Sequence, residues 1–291
     1  MEGIIIINKE KQYTSNDVVQ IVKHTLNEKV GHTGTLDPNA TGVLPILIGK
    51  GTKISKYLIN HDKIYEAVLQ LGKKTDTGDG EGKILEEENI DKNILSEESI
   101  NKVLEDFIGK QTQIPPMYSA IKIDGKKLYD YARQGEQVNI PARNIEIYSL
   151  KLKKIDIENN QIEIRVECSK GTYIRTLCED IAKKLGSIGY MKELNRIQVG
   201  SFNIKDSINI GDLKDNKDDV VYLEKNIIKV EDILKDKGKI VLDERKLKIF
   251  LNGVKIDTSH QDGIYRLYDS KGNFLGTGIV ENNKIKRDVI L

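Results

Sequence analysis

Gly3-Ile4-Ile5-Ile6-Ile7 has no polar position, and it constrains the fold more than any other segment. Its β-branched side chains are stiff and fit a pleated surface better than a helix. The run is short and is ended by Asn8-Lys9, so it reads as a buried strand. A second apolar run, Val43–Ile48, leads into Gly49-Lys50-Gly51-Thr52, a turn ahead of a short helix expected at 53–60. Between the two runs, Thr14 or Ser15 caps a helix that continues to about Asn27, with Asp17 in its first turn. Further on, the pattern predicts a strand over Ile64–Leu71, a helix from Ser96 to about Phe107, and a helix over Leu128–Gln134. Two strands follow at 145–156 and 161–168, then a helix over Tyr173–Leu185 with Leu177, Ile181 and Leu185 facing the core. Strands and helices interleave irregularly, which predicts an α+β fold rather than a repeating βαβ wind.

A second unit begins near residue 236. Strand-like segments at 238–242, 264–269, 273–280 and 284–290 are punctuated by glycines, which suggests a small β barrel. The division expected is therefore 1–232 and 236–291.

Composition narrows the function. Net charge is +1, which does not announce a nucleic-acid partner, but the charge is unevenly spread. Residues 81–106 sum to −6, whereas 110–196 sum to +5 and 235–291 to +4, so a basic face is compatible with a near-neutral whole. Cys168 and Cys178 form neither a disulfide framework nor a zinc spacing, and the four histidines are scattered. No metal site, signal peptide or membrane span is expected, and a reducing, cytoplasmic setting fits.

The segment GHTGTLDPNATG, residues 31–42, gathers three glycines, three threonines and a proline around one carboxylate. Pro38 biases Asp37 toward an extended conformation. An Asx turn before proline is a common structural explanation for such an aspartate; a nucleophile, a general base or a metal ligand is the functional one. Lys170-Gly171-Thr172-Tyr173-Ile174-Arg175 follows a strand and opens a helix, so Arg175 can hold a carboxylate or a phosphate. Tyr65 lies near the start of a strand and suits either a core or a base-stacking role. TDTGDGEG, residues 75–82, lacks calcium-loop spacing and reads as turns; GKGT at 49–52 lacks the full phosphate-loop pattern. The stretch from Gln113 to Arg133 joins a rigid Pro-Pro pair to basic and aromatic residues, a mix that suits RNA or an exposed amphipathic helix.

Taken in order, KVGHTGTLDPNATGVLPI, YEAVLQLGKKTDTGDGEG, IPPMYSAIKIDGKKLYDYARQG and CSKGTYIRTLCEDI resemble the bacterial tRNA pseudouridine-55 synthases. That TruB-type family is shared with the archaeal and eukaryotic guide-RNA-dependent enzyme. The resemblance runs from about Ile4 to Phe202. Residues 236–291, through NGVKI and YDSKGNFLGTG, are similar to the small RNA-binding PUA domain. The resemblance implies a mixed-sheet catalytic domain with flanking helices and a central RNA-binding cleft, followed by a β-barrel-like PUA domain. It implies isomerisation of a T-loop uridine in tRNA, with tRNA as partner and no cofactor or metal; the oligomeric state defaults to monomer. Asp37 falls where the family has its catalytic aspartate, Arg175 where an arginine pairs with it, and Tyr65 where a tyrosine stacks on the target uracil. His32, Tyr173 and Leu194 match positions that line the uridine site. Attack at C1′, attack at C6 and proton abstraction at C2′ all remain open for Asp37. A non-catalytic RNA-binding protein and a phosphoryl-transfer enzyme are the readings from other classes.

Overall fold

A computed structural model describes residues 1–291. The isoleucine run lies in strand β1 (Gly3–Lys9), antiparallel to β2 (Thr41–Ile48), with Gly3 opposite Ile48 and Lys9 opposite Gly42. The run tolerates no polar residue because both of its faces are buried. Ile5 and Ile7 enter a large core with helix α1 (Ser15–Leu26), helix α2 (Glu97–Glu105) and helix α3 (Ile174–Lys184). Ile4 and Ile6 enter a second core with Ile54, Phe202, Leu234 and Val289.

The remaining long strands of this ten-stranded sheet are β3 (Lys63–Leu71), β4 (Gly109–Gln113), β5 (Arg143–Asp156), β6 (Gln161–Cys168) and β7 (Gly189–Val199). Their spatial order is β1-β2-β7-β3-β6-β5-β4, with Ile227–Ile228 closing the β1 edge. Every ladder among them is antiparallel except the short one between β2 and β7, where Thr41 faces Asn195 and Gly42 faces Arg196. The 31–42 loop enters the sheet at this seam.

Backbones approach closely there. A Cβ on Gly42 would lie 2.2 Å from the Arg196 carbonyl oxygen, and its φ of +103° is left-handed. Gly42→Ala is therefore expected to destabilise the fold by about 3 kcal/mol or more. A urea unfolding curve checks this, and a midpoint within error of wild type would contradict it.

The expected mixed α+β arrangement is observed, with some local differences. The short helix placed at 53–60 is instead a 3₁₀ helix over Gly49–Tyr57, beginning directly where β2 ends. Strand β7, at the centre of the sheet, carries no sequence expectation of its own. Its pairing with β3 shifts register between Met191 and Glu193 and again between Arg196 and Gln198, which breaks the period of two.

The C-terminal sheet joins β8 (Gly238–Leu242), β9 (Gly263–Asp269), β10 (Phe274–Glu281), β11 (Lys284–Ile290) and Ile256–Asp257 in that order, and its two ends do not pair. It is a half-barrel rather than a closed one. Helix α4 (Glu244–Leu251), which the sequence reading did not include, places Phe250 in its core. The half-barrel docks on the 3₁₀ helix: Lys56 and the Tyr57 hydroxyl both meet the Asp288 carboxylate, and Lys53 Nζ donates to the Ile290 carbonyl at 2.6 Å. No helix is long and apolar enough to cross a membrane.

Candidate active site

The loop bearing Asp37 is held from both sides. Ser15 Oγ accepts from the Leu36 N–H at 2.8 Å and donates to the Leu36 carbonyl at 3.1 Å. Lys9, fully buried, donates to the Pro38 carbonyl at 2.7 Å and to those of Tyr13 and Glu10 at 2.6 and 2.9 Å. Burial pulls the Lys9 pKa down to about 8, the Asp37 charge opposing the fall. Glycine supplies backbone freedom in this loop, but side chains from α1 and β1 fix the residues on either side of the carboxylate.

Arg175 reaches Asp37 from the first turn of α3, with Nε 3.2 Å from Oδ2 and Nη2 3.5 Å from Oδ1. The guanidinium is clamped by the carbonyls of Tyr118 at 2.7 Å and Thr77 at 3.2 Å. Nη1 also lies 3.5 Å from Asp79 Oδ2. Asp79 comes from the TDTGDGEG loop, where Thr77 Oγ1 and the Glu81 N–H donate to its other oxygen at 2.6 and 3.1 Å. That loop is made of turns, as expected, but its hydrogen bonds hold a second carboxylate against Arg175.

The Asp37 side chain is 38% exposed, and its open side faces a cavity of about 550 Å³. Crowding by protein atoms raises its pKa from the ordinary carboxylate value. Arg175 works against that rise and the Asp79 charge adds to it. Tyr65, Tyr173, Arg175 and Leu194 line the same cavity. Tyr65 is buried on β3, and its phenol is pushed up to about 12 by burial, so it is protonated at neutral pH. Tyr173 precedes α3, where Gln113 of β4 fixes its backbone: Oε1 accepts from the Tyr173 N–H at 2.8 Å and Nε2 donates to its carbonyl at 3.0 Å. Leu194 comes from β7 and is buried.

His32 stands apart. It lies in the short strand Val30–His32 opposite Ile46 and is not among the residues lining the Asp37 cavity. Burial and the Arg196 charge lower its pKa. Five of the sequence-read residues therefore converge and one does not.

Sequence reading missed Asp79, Gln113, Lys63 and Arg196. Arg196 is the largest fully buried side chain in the chain. It donates from Nε to the Val43 carbonyl at 2.8 Å and from Nη2 to the Gly34 carbonyl at 3.0 Å, tying together both arms of the Asp37 loop. No carboxylate pairs with it. The only sequence signal is one basic residue two positions after Leu194, in a segment with no strand expectation. The cavity lining holds five basic side chains, Lys63, Arg143, Lys170, Arg175 and Arg196, against the single acid Asp37. No three His, Cys, Asp or Glu side chains are grouped as a metal site.

The arrangement presents one aimed carboxylate and one aromatic face in a cationic pocket. This suits an anionic polymer bearing a flat base. The profile described as "TruB family pseudouridylate synthase (N terminal domain)" matches residues 22–174. Two further profiles, "tRNA pseudouridylate synthase B C-terminal domain" and "Pseudouridine synthase II TruB, C-terminal", match 175–235 and 238–287. The tRNA pseudouridine synthase B of Clostridium perfringens is 43% identical over 299 residues, covering 100% of this chain and 99% of the relative. That of Francisella tularensis subsp. novicida is 44% identical over 276 residues, covering 93% of this chain and 89% of the relative. Among solved structures, a Cbf5-Nop10-Gar1 complex contains a chain superposing with a TM-score of 0.72 at 26% identity, over 99% of this chain and 84% of that one.

Proposed function

The chain belongs to the TruB family and is a tRNA pseudouridine synthase, and from that premise we propose that it isomerises uridine 55 in the T loop, with Asp37 as its catalytic carboxylate. The observation that carries this reading is the meeting of Asp37, Arg175 and Tyr65 in one cavity whose only acid is Asp37. The target base must leave its stack, at a cost of a few kcal/mol. Stacking on the Tyr65 ring returns roughly 1–3 kcal/mol of that, and Tyr173 and Leu194 shape the rest of the base site. Arg175 aims Asp37 and favours its ionised form. Asp37 then acts on the ribose or the base while the N1–C1′ bond is exchanged for a C5–C1′ bond.

Arg143 and Lys170 at the exposed edge of the cavity suit backbone phosphates. The 122–133 segment offers more cations, with Lys126 4.1 Å from the Tyr131 ring centroid and Arg133 5.4 Å from that of Tyr129. In this reading residues 1–232 carry the chemistry and 236–291, with their surplus of bases, extend the contact with tRNA.

The test is tritium release from a T stem-loop RNA labelled at C5 of its uridines, run in EDTA. C5 loses its hydrogen as it becomes the glycosidic carbon. The isomerisation is neither a redox reaction nor a hydrolysis, so wild type is expected to release tritium stoichiometrically with the chelator present. Binding of the folded RNA without release would instead favour a non-catalytic RNA-binding protein.

A further inference from the structure

We propose that Lys63 and Arg196 form a cationic floor beneath the target base that stabilises the negative charge placed on uracil when the glycosidic bond breaks, Lys63 as a catalytic residue and Arg196 as a positioning residue. The inference rests on the synthase reading above and assigns chemistry to two side chains which that reading leaves unused.

Geometry places both beside the stacking tyrosine. Lys63 and Tyr65 are two residues apart on β3 and therefore share a face. Arg196 is directly opposite Tyr65 on β7. Both line the Asp37 cavity. Gly34 lies between them: a Cβ there would sit 3.6 Å from Arg196 Nη1 and 3.8 Å from Lys63 Cε. The absent side chain leaves the two cations facing one space.

Neither cation has a carboxylate partner. Lys63 Nζ makes one hydrogen bond, to the His61 carbonyl at 2.6 Å, and has two further protons to donate. Arg196 spends its donors on the carbonyls of Gly34, Thr35 and Val43. Burying unpaired positive charge costs free energy. A site that keeps one fully buried and one half-buried cation, neither with a carboxylate partner, next to an aromatic platform is organised to receive negative charge.

The reaction generates that charge. When N1–C1′ breaks, the bonding pair leaves with the base, and the negative charge spreads over N1, O2 and O4. In the two ribose-directed routes the ribose is satisfied by Asp37, either through a new bond from its carboxylate oxygen to C1′ or by transfer of the C2′ proton to it. Rejoining through C5 regenerates the Asp37 carboxylate; the C5 proton passes to solvent and N1 takes one up. Atoms and charge balance, and the ring anion is the species that a fixed cation stabilises more than it stabilises the neutral substrate. In this assignment Lys63 meets the ring directly, with the protons it does not spend on His61. Arg196 acts through its field and through the loop it ties.

The groups around Lys63 are Arg196 on β7, Cys168 on β6, Lys170 beyond it, and Asp62 and His61 just before it in the chain. Burial, reinforced by Arg196, lowers the Lys63 pKa, while Cys168 and Asp62 oppose the fall. Lys63 therefore loses its charge at a lower pH than an ordinary lysine does, which gives a readout that a purely structural role would not move.

The experiment is single-turnover tritium release by the full chain in excess over T stem-loop RNA, across pH, with RNA affinity measured in parallel. Lys63→Met is expected to lower the rate by about 10²-fold, as for loss of one oxyanion-hole donor, with affinity changed less than about threefold. Lys63→Arg should retain most of the rate and move the alkaline limb to higher pH. Arg196→Lys should keep more activity than Arg196→Met, each compared only if its thermal melt remains cooperative. The floor is overturned if Lys63→Met keeps the wild-type rate, or if the Lys63→Arg profile superposes on wild type. Wild type releasing tritium in those cases leaves the synthase reading standing, whereas no release by wild type overturns both.

Discussion

Asp37→Asn releases no measurable tritium and yet melts above wild type at pH 7. The first half follows from chemistry: an amide neither attacks carbon nor takes a proton as a carboxylate does, and loss of such a group costs roughly 10⁴–10⁶-fold in rate. The second half follows from the pKa. Crowding, with Asp79 adding, raises the Asp37 pKa in the folded state, and Arg175 offsets only part of the rise. A carboxyl whose folded pKa is raised favours the fold while protonated, below its unfolded value near ~4. That contribution is lost as pH climbs through the folded pKa, so at pH 7 the native protein holds an ion it would rather not hold. Asparagine keeps the shape and removes the ion. The difference in melting temperature between variant and wild type should be positive at pH 7 and shrink toward zero below pH 4. A variant that melts lower at pH 7 would mean that the Arg175 pair outweighs the crowding.

What the sequence made legible depended on how local the determinant was. β1, α1 and α3 were readable because each is announced by a continuous pattern: the isoleucine run, the Thr14 cap with Asp17 three residues on, and Leu177 with Ile181 on one face. The structure shows Thr14 and Asp17 satisfying each other's backbone N–H groups at that cap. β7 was not readable, since two register shifts scramble its alternation, and with it went the notice that Arg196 should have drawn. Asp37, Tyr65 and Arg175 were individually ambiguous, and only the resemblance assembled them. Asp79 shows the limit most clearly. Its loop reads as turns and is made of turns, but no local signal says that a turn will deliver a carboxylate to an arginine 96 positions later in the chain, between Asp79 and Arg175. The sequence marks Lys9 only as the end of a strand, although it is the bolt that holds Pro38.

Arg175→Met is expected to cost both activity and stability and to move the acid limb of the rate profile to higher pH. The guanidinium is the shared partner of Asp37 and Asp79 and the donor to the Tyr118 and Thr77 carbonyls. Removing it leaves two carboxylates facing each other across the space it filled and two carbonyls without their donor. Loss of one member of a buried ion pair costs about 3–5 kcal/mol; the lower end applies, since the cavity side of Asp37 is partly exposed and water screens it. Asp37 must be ionised to act. Its pKa already sits above the ordinary value, and Arg175 is the largest influence holding it down. Without Arg175 the carboxylate ionises only at still higher pH, and the repulsion between Asp37 and Asp79 drives it further in the same direction. Single-turnover rates at pH 7 should fall by roughly 10²–10³-fold, and the deficit should narrow as pH rises. Arg175→Lys separates charge from geometry: the ammonium should keep the acid limb near wild type but lose rate, because it cannot span Asp37, Asp79 and the two carbonyls at once. Parallel profiles with an unmoved limb in the methionine variant would mean that Arg175 only aims Asp37. A moved limb would make its charge part of how the carboxylate stays ionised in a crowded site.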